Sequence, residues 1–120
     1  MANIIRLSEV RRKPRPSFFS RAELNLLLSL YSRQVARGQW RDYAIGVQDG
    51  KALFAVFRHS NETALYTVVK ATPAGDRGGE FTLMAGRLPL ARSASIADLL
   101  AGLERKLRAR AVPLDGGGSR

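Results

Sequence analysis

The first strong pattern along the chain is a helical one that begins near Ser20. Ser20 and Glu23 are spaced as a capping box, in which the serine oxygen and the glutamate carboxylate each accept a backbone N–H of the first turn. Apolar residues then recur at helical spacing as far as Val35, and Gly38 supplies a stop signal. This pattern predicts an amphipathic helix over about residues 21–37.

Two segments of alternating apolar and polar residues follow, and Asp49-Gly50 joins them. This dipeptide between such segments is typical of a hairpin, because both residues tolerate the positive φ of a type I′ turn. A two-residue turn fixes the register, since Gln48 then faces Lys51. Counting back predicts the pairs that share the core face: Val47 with Ala52, Ile45 with Phe54, and Tyr43 with Val56.

Two more strands and a second helix are predicted in the rest of the chain. The strands lie at about residues 64–70 and 80–86, and short connections between strands favour antiparallel neighbours. Ser95 and Asp98 repeat the capping signature before a second amphipathic pattern that ends near Arg110. The order predicts an α+β fold, a four-stranded antiparallel meander flanked by an N-terminal and a C-terminal amphipathic helix.

Charge divides the chain into three parts. The 120 residues contain 20 Lys and Arg against 10 Asp and Glu, a formal net charge of +10. Residues 1–16 are basic and interrupted by two prolines, which predicts a disordered basic arm. Residues 17–110 form the single predicted domain, and the glycine-rich residues 111–120 are expected to be a flexible tail.

Composition excludes several kinds of chemistry. The chain has no cysteine and one histidine, which excludes disulfides, thiol catalysis and any metal site with two imidazoles. It also lacks the glycine motifs that bind nucleotide phosphates. We therefore expect a protein that is not an enzyme and that uses no metal and no cofactor. The absence of a long apolar run or a leader sequence predicts a cytoplasmic protein that does not bind membranes.

The segment WRDYAI, from Trp40 to Ile45, carries a resemblance to a known family. Together with Arg58, Glu62 and Lys70 it resembles a family of short bacterial proteins described only as a domain of unknown function. The resemblance spans about residues 17–107. It implies one compact domain, and it implies no activity, ligand or site residue.

The predicted hairpin register places Arg41 directly opposite Arg58. Like charges in a cross-strand pair are unfavourable unless an anion or a carboxylate lies between them. Glu62 would complete a structural ion-pair cluster, which is the interpretation that we favour. A bound phosphate or carboxylate would instead make the pair a ligand clamp, with Lys70 or His59 nearby.

Aromatic residues give a weaker indication. Trp40 lies between a helix stop and a strand, which is typical of a core residue. Phe57 and Tyr66 are assigned to the second face of the sheet. If that face is open, they form an aromatic surface suited to single-stranded nucleic acid, and if a helix covers it, they are core residues.

The positive charge is the main functional clue. A strongly basic surface attracts polyphosphates, so we expect a small non-enzymatic module that binds nucleic acid. The alternative is a regulatory adaptor whose basic surface binds an acidic protein. Exposure of Leu26 and Leu30 would favour a homodimer or a partner groove. The candidate binding residues are Arg41, Arg58, Lys70, Arg11, Arg12, Lys13, Arg105 and Arg108.

Overall fold

A computed structural model of the protein describes residues 16–59, 63–72 and 79–119, with side chains as far as residue 109. The described strands form one antiparallel sheet in the order β1-β2-β3-β4-β5. The α+β class and the antiparallel meander are confirmed, with five strands instead of four. The elements in chain order are α1 (Arg21–Ala36), β1 (Asp42–Gln48), β2 (Lys51–Phe57), β3 (Tyr66–Ala71), β4 (Glu80–Ala85), β5 (Leu88–Ser93) and α2 (Ile96–Ser119).

The fifth strand corrects the predicted four-stranded sheet. β5 pairs with β4 through Ala85 and Leu88, on either side of the two-residue turn Gly86-Arg87. Gly86 has a φ of 61°, which glycine adopts without strain. Pro89 obscures this strand in the sequence, because proline lacks the N–H that a central strand needs. At the edge of the sheet that N–H is dispensable, so the strand forms.

The start of α1 is the predicted capping box. The Glu23 N–H donates to Ser20 Oγ at 3.1 Å, and the Ser20 N–H donates to Glu23 Oε1 at 2.7 Å. Two of the otherwise unpaired N–H groups at this helix start are thereby satisfied. At the other end, Gly38 has a φ of 75° and directs the chain out of the helix toward Trp40.

The predicted hairpin register is confirmed. Asp49 and Gly50 have φ values of 55° and 76°, and Gln48 faces Lys51. The ladder continues from that pair without a shift to the start of β1. The N–H of Ser17 donates to the carbonyl of Gly50 at 2.8 Å, so the segment that leads into α1 is attached to the turn.

Both helices pack on the same face of the sheet, so the predicted flanking arrangement is only partly matched. The opposite face carries half-buried side chains such as Leu53, Ala55 and Val69. Leu30 belongs to the core, whereas Leu26 is exposed. The core consists of Leu27 and Leu30 of α1, Trp40, six sheet residues (Phe54, Val56, Tyr66, Val68, Phe81, Leu83), and Ile96, Leu99, Leu100 and Leu103 of α2.

The second helix begins at the predicted cap. The Asp98 N–H donates to Ser95 Oγ at 3.1 Å, and the Leu99 N–H donates to the Ser95 carbonyl at 3.1 Å. α2 continues to Ser119, beyond the end predicted near Arg110. The boundaries of the basic arm and the tail stay predictions, and residues 1–15 lie outside the described part. Neither described helix is both long enough and apolar enough to cross a bilayer.

Gln34 is a polar residue in the middle of this core. Its side chain is 0% exposed, and neither Nε2 nor Oε1 has a hydrogen-bond partner among the described residues. Its backbone carbonyl, in contrast, accepts the N–H groups of Gln39 and Trp40. A buried polar group without a partner costs about 1–3 kcal/mol of folding free energy. The side chain of Gln34 therefore opposes folding, while its backbone closes the end of α1.

We predict that Gln34→Met raises the free energy of unfolding by about 1 kcal/mol, because methionine has a similar shape and leaves no polar atom unpaired. Urea denaturation at pH 7 measures the change. The exposed neighbour Gln39→Met is the matched control and should stay within about 0.5 kcal/mol of the parent protein. A loss of stability in Gln34→Met would show that the amide has a partner.

Candidate nucleic-acid interface

The turns and loops that connect the strands of the meander lie at two opposite ends of the domain. Because neighbouring strands run in opposite directions, one end holds the start of β1, the end of β2 and the β4–β5 turn. The end of α1 lies there too, since Gln39 and Trp40 connect it directly to β1. The other end holds Asp49-Gly50, and we call it the hairpin end.

Four exposed arginines lie at the first end, which we call the cationic end: Arg37, Arg41, Arg58 and Arg87. They come from the end of α1, the start of β1, the end of β2 and the β4–β5 turn. None of them has an ion-pair partner among residues 16–59, 63–72 and 79–109. The charges of Arg41, Arg58 and Arg87 are therefore not neutralised by a described carboxylate, whereas the charge of Arg37 acts on Glu104 without forming an ion pair with it.

Arg41 and Arg58 are brought together as the hairpin predicted. The last pair of the ladder is Asp42 with Phe57, and the two arginines flank it on adjacent strands. The N–H of Arg41 donates to the carbonyl of Phe57 at 2.8 Å, which holds the start of β1 against the end of β2. Glu62, the carboxylate expected between the arginines, lies outside the described residues. The choice between an ion-pair cluster and a ligand clamp therefore stays a prediction.

Lys70 lies far from this pair, near the hairpin end. It is opposite Ala52 in the sheet, whereas Arg58 follows the opposite end of β2. Its Nζ donates to Glu23 Oε1 and to the carbonyl of Phe18, both at 2.8 Å, and lies 5.9 Å from the centre of the Phe81 ring. Lys70 thus fastens the start of α1 to the sheet.

The same contacts stabilise the ionised form of Glu23. Partial burial acts to raise its pKa, but the hydrogen bond from Lys70 and those from Ser20 lower it, with the nearby Lys70 charge adding to them. The net result is a pKa below the ordinary value of 4.5. Glu23 is therefore ionised at neutral pH, and it serves both the helix cap and the sheet.

A second carboxylate, Glu104 of α2, is shared by several arginines. Arg33 of α1 binds it through two hydrogen bonds, Nε to Oε2 at 2.7 Å and Nη2 to Oε1 at 3.0 Å. Arg108 Nη1 lies 3.9 Å from Oε2. The hydrogen bond from Arg33 lowers the pKa of Glu104, and the charges of Arg33, Arg108 and Arg37 lower it further. One negative charge therefore faces three positive ones where the helices meet.

Arg105 and Arg108 lie on different sides of α2. Arg108 faces Glu104, whereas Arg105 and Lys106 line a groove of about 340 Å³ between α2 and the sheet edge. Arg92 also borders this groove. Its pairing with Thr82 assigns it to the face of the sheet that the helices do not cover. The remaining residues of the groove are Leu83, Leu90, Ala91, Ser93, Asp98, Leu99, Gly102 and Leu103.

The assignment of Tyr66 to the second face of the sheet is wrong. Tyr66 pairs with Val56 on the helix-covered face, is buried, and lies 6.4 Å from the Trp40 ring centre. Phe57 has the opposite orientation and is half-buried. The prediction failed because no tight turn fixes the register between β2 and β3, and one residue of shift moves a side chain to the other face. Trp40 is a core residue, as predicted.

Sequence reasoning did not include Arg37 and Arg87 among the candidates. Arg37 could have been found from its place at the end of the predicted helix, on the same side of the domain as Arg41. Arg87 could not, because the turn that presents it belongs to the missed strand. The candidates Arg11, Arg12 and Lys13 lie outside the described residues. Within the described residues, no group of His, Asp or Glu side chains is placed to hold a metal ion.

Comparison with known proteins identifies a family. A family model matches residues 17–97, and its description is Protein of unknown function (DUF2794). The chain belongs to this family. The resemblance seen in the sequence is thereby confirmed, and no curated protein and no solved structure matches the chain. The part of the chain that matches DUF2794 contains the four arginines of the cationic end, and it stops two residues into α2.

The lowered pKa of Glu23 leads to a prediction about pH. A carboxylate whose pKa is lower in the folded state stabilises the fold above its unfolded pKa, and this stability is lost as the pH falls through the folded value. We predict that Glu23→Gln lowers the free energy of unfolding by about 0.5–1 kcal/mol at pH 7. The difference from the parent protein should shrink as the pH falls below 4.5.

Glutamine at this position keeps the capping hydrogen bond, so the variant removes the charge and not the cap. The measurement is urea denaturation between pH 7 and the acid limit of folding. Glu80→Gln is the control, because Glu80 is exposed and has no ion pair among the described residues. A difference that stays constant with pH would mean that the charge of Glu23 contributes nothing.

Proposed function

We propose that this protein is a non-enzymatic module that binds nucleic acid through phosphate contacts at the cationic end. The observation that carries the proposal is the exposure of Arg37, Arg41, Arg58 and Arg87 at one end of the sheet without ion pairs among the described residues. Guanidinium groups match the geometry of phosphate oxygens and stay charged at every physiological pH.

The distribution of acidic residues supports this choice of surface. The hairpin end carries Asp49, Glu80 and the Glu23–Lys70 ion pair, so positive and negative charges alternate there. At the cationic end the described carboxylates are Asp42 and Glu104, and Glu104 is already occupied by Arg33. The field of the domain is therefore asymmetric, which favours the approach of a polyanion from one side.

The spacing of the arginines fits an extended chain of phosphates. Arg41 and Arg58 lie on adjacent strands, about 5 Å apart along the sheet, so both can contact one phosphate. Arg87 follows β4, two strands away from β2, about 10 Å further along the same end. It would contact a different phosphate of the same strand. Contacts of this kind hold the backbone and carry no sequence preference.

We predict that the triple variant Arg37→Gln, Arg58→Gln and Arg87→Gln binds a fluorescent 20-nucleotide single strand and a 20-base-pair duplex at least about tenfold more weakly. Loss of three phosphate contacts should also flatten the slope of log affinity against log salt by about 2–3. Fluorescence anisotropy across a salt series measures both quantities.

The matched control removes the same charge from elsewhere. Arg21, Lys51 and Arg92 are exposed and lie away from the cationic end, so their triple change to Gln should weaken binding less than about threefold. Equal losses in both variants would mean that binding follows net charge alone. Affinity no better than that of an unstructured peptide of equal charge would also refute the proposal.

The alternative function, an adaptor that binds an acidic protein, would use the same surface. A competition experiment with an acidic polypeptide distinguishes it from nucleic-acid binding. Polyglutamate has the negative charge of nucleic acid without its phosphates. Because guanidinium pairs with carboxylate as well as with phosphate, only the spacing of the charges distinguishes the two polymers, and polyglutamate of equal charge should compete less well if the arginines match successive phosphates. Competition at equal strength would favour an acidic protein partner.

A further inference from the structure

The strand β1 (Asp42–Gln48) is an open edge of the sheet. It pairs with β2 on one side, and the described residues place nothing on the other. Proteins usually protect such edges with proline, a bulge or a central charge, because unpaired N–H and C=O groups invite another strand. The opposite edge, β5, has Pro89 and a register shift in its pairing with β4. Between Tyr43 and Val47, β1 has none of these.

The side chains of β1 are also unusually apolar for an exposed edge. Tyr43, Ile45 and Val47 are 40%, 49% and 48% exposed, although each is opposite a buried residue of β2. Tyr31 of α1 contacts the Tyr43 ring, with centres 4.8 Å apart. Ile45 and Val47 extend the core face of the sheet past the part that the helices cover. We call Tyr43, Ile45 and Val47 the edge row.

The hairpin turn determines which backbone groups of β1 are free. In a two-residue turn the flanking residues, here Gln48 and Lys51, exchange hydrogen bonds. Alternation along the strand then directs the N–H and C=O of Gln48, Gly46 and Ala44 toward β2. Those of the edge row are directed away from the sheet. An antiparallel strand could therefore form about six hydrogen bonds with these three residues.

We propose that the partner of this edge is β1 of a second copy of the chain, with the two-fold axis through Ile45. In this register Ile45 faces Ile45 of the other copy, and Tyr43 faces its Val47. Just beyond the paired strands, Arg41 lies across from Asp49. Both are exposed and lack an ion pair among the described residues, so the dimer gains two complementary charge contacts.

The alternative two-fold registers lack this complementarity. Moving the axis to Gly46 sets Arg41 opposite Lys51, a like-charge pair. Moving it to Ala44 sets Arg41 opposite Val47 and leaves Asp49 beyond the end of the pairing. All three registers keep the helices on one face of a continuous sheet that joins the five strands of each copy, so the charges decide between them. The proposal does not depend on nucleic-acid binding, and the triple variants above retain Arg41 and Asp49.

A single-cysteine experiment tests both the dimer and its register. The chain has no cysteine, so Ile45→Cys introduces a lone thiol. Across a hydrogen-bonded pair the Cα atoms are about 5.5 Å apart, which suits a disulfide. Val47→Cys is the matched control because its exposure is the same, whereas its own copy lies four residues away, at about 13 Å.

Under mild oxidation at micromolar concentration, Ile45→Cys should form a covalent dimer at least about tenfold faster than Val47→Cys. Non-reducing electrophoresis over time measures the two rates. Equal rates would mean random collision and would overturn the proposal, as would the absence of cross-linking in both variants. Faster cross-linking of Val47→Cys would overturn the register.

Sedimentation equilibrium tests the same surface without cross-linking. At about 100 µM the parent protein should sediment as a dimer, and Ile45→Lys should sediment as a monomer with unchanged circular dichroism. Arg41→Glu should weaken the dimer at least about fivefold, because it places a second carboxylate across from Asp49. Arg92→Glu, the same charge change on β5, should leave it unchanged. A monomeric parent protein at this concentration would overturn the proposal.

Discussion

The two-residue turn at Asp49-Gly50 is the constraint on which the rest of the structure depends. Its positive φ values force Gln48 to face Lys51, and this pair sets every later pair of β1 and β2. The same register decides that Phe54 and Val56 enter the core. It also brings Arg41 and Arg58 to one end of the sheet. A shift of one residue would place the apolar side chains of one strand on the face opposite to those of the other.

The charge pattern of the domain follows from how few carboxylates are available. Among the described residues, Glu23 and Glu104 form ion pairs, and each joins two elements: Glu23 connects α1 to β3, and Glu104 connects α2 to α1. Lys70 and Arg33 are the positive partners in these pairs, so both side chains hold elements of the fold together. The arginines at the strand ends have no such partners in the described part. At the cationic end Arg33 occupies Glu104 and Asp42 accepts the N–H of its neighbour Tyr43, so the exposed arginines there outnumber the carboxylates that could pair with them.

Local signals predicted most of the fold, and non-local pairing explains the errors. The cap at Ser20 and the Asp-Gly turn are decided by neighbouring residues, so the sequence was sufficient for them. The register between β2 and β3 depends on packing, so it could not be read from the sequence, and Tyr66 was assigned to the wrong face. Lys70 was misplaced for a different reason, because an antiparallel β3 ends beside the start of β2 and so carries Lys70 to the hairpin end. β5 was missed because Pro89 is acceptable only at an edge, and edge position is a property of the whole sheet.

Nucleic-acid binding and dimerisation through β1 both assign a contact to Arg41. In the dimer its guanidinium lies across from Asp49 of the second copy, so its charge is no longer fully available to a phosphate. Antiparallel pairing of β1 also sets the cationic end of each copy beside the hairpin end of the other. The two cationic ends then point in opposite directions. They are too far apart to contact the same few phosphates. Each copy would bind its own segment of nucleic acid, chiefly through Arg37, Arg58 and Arg87.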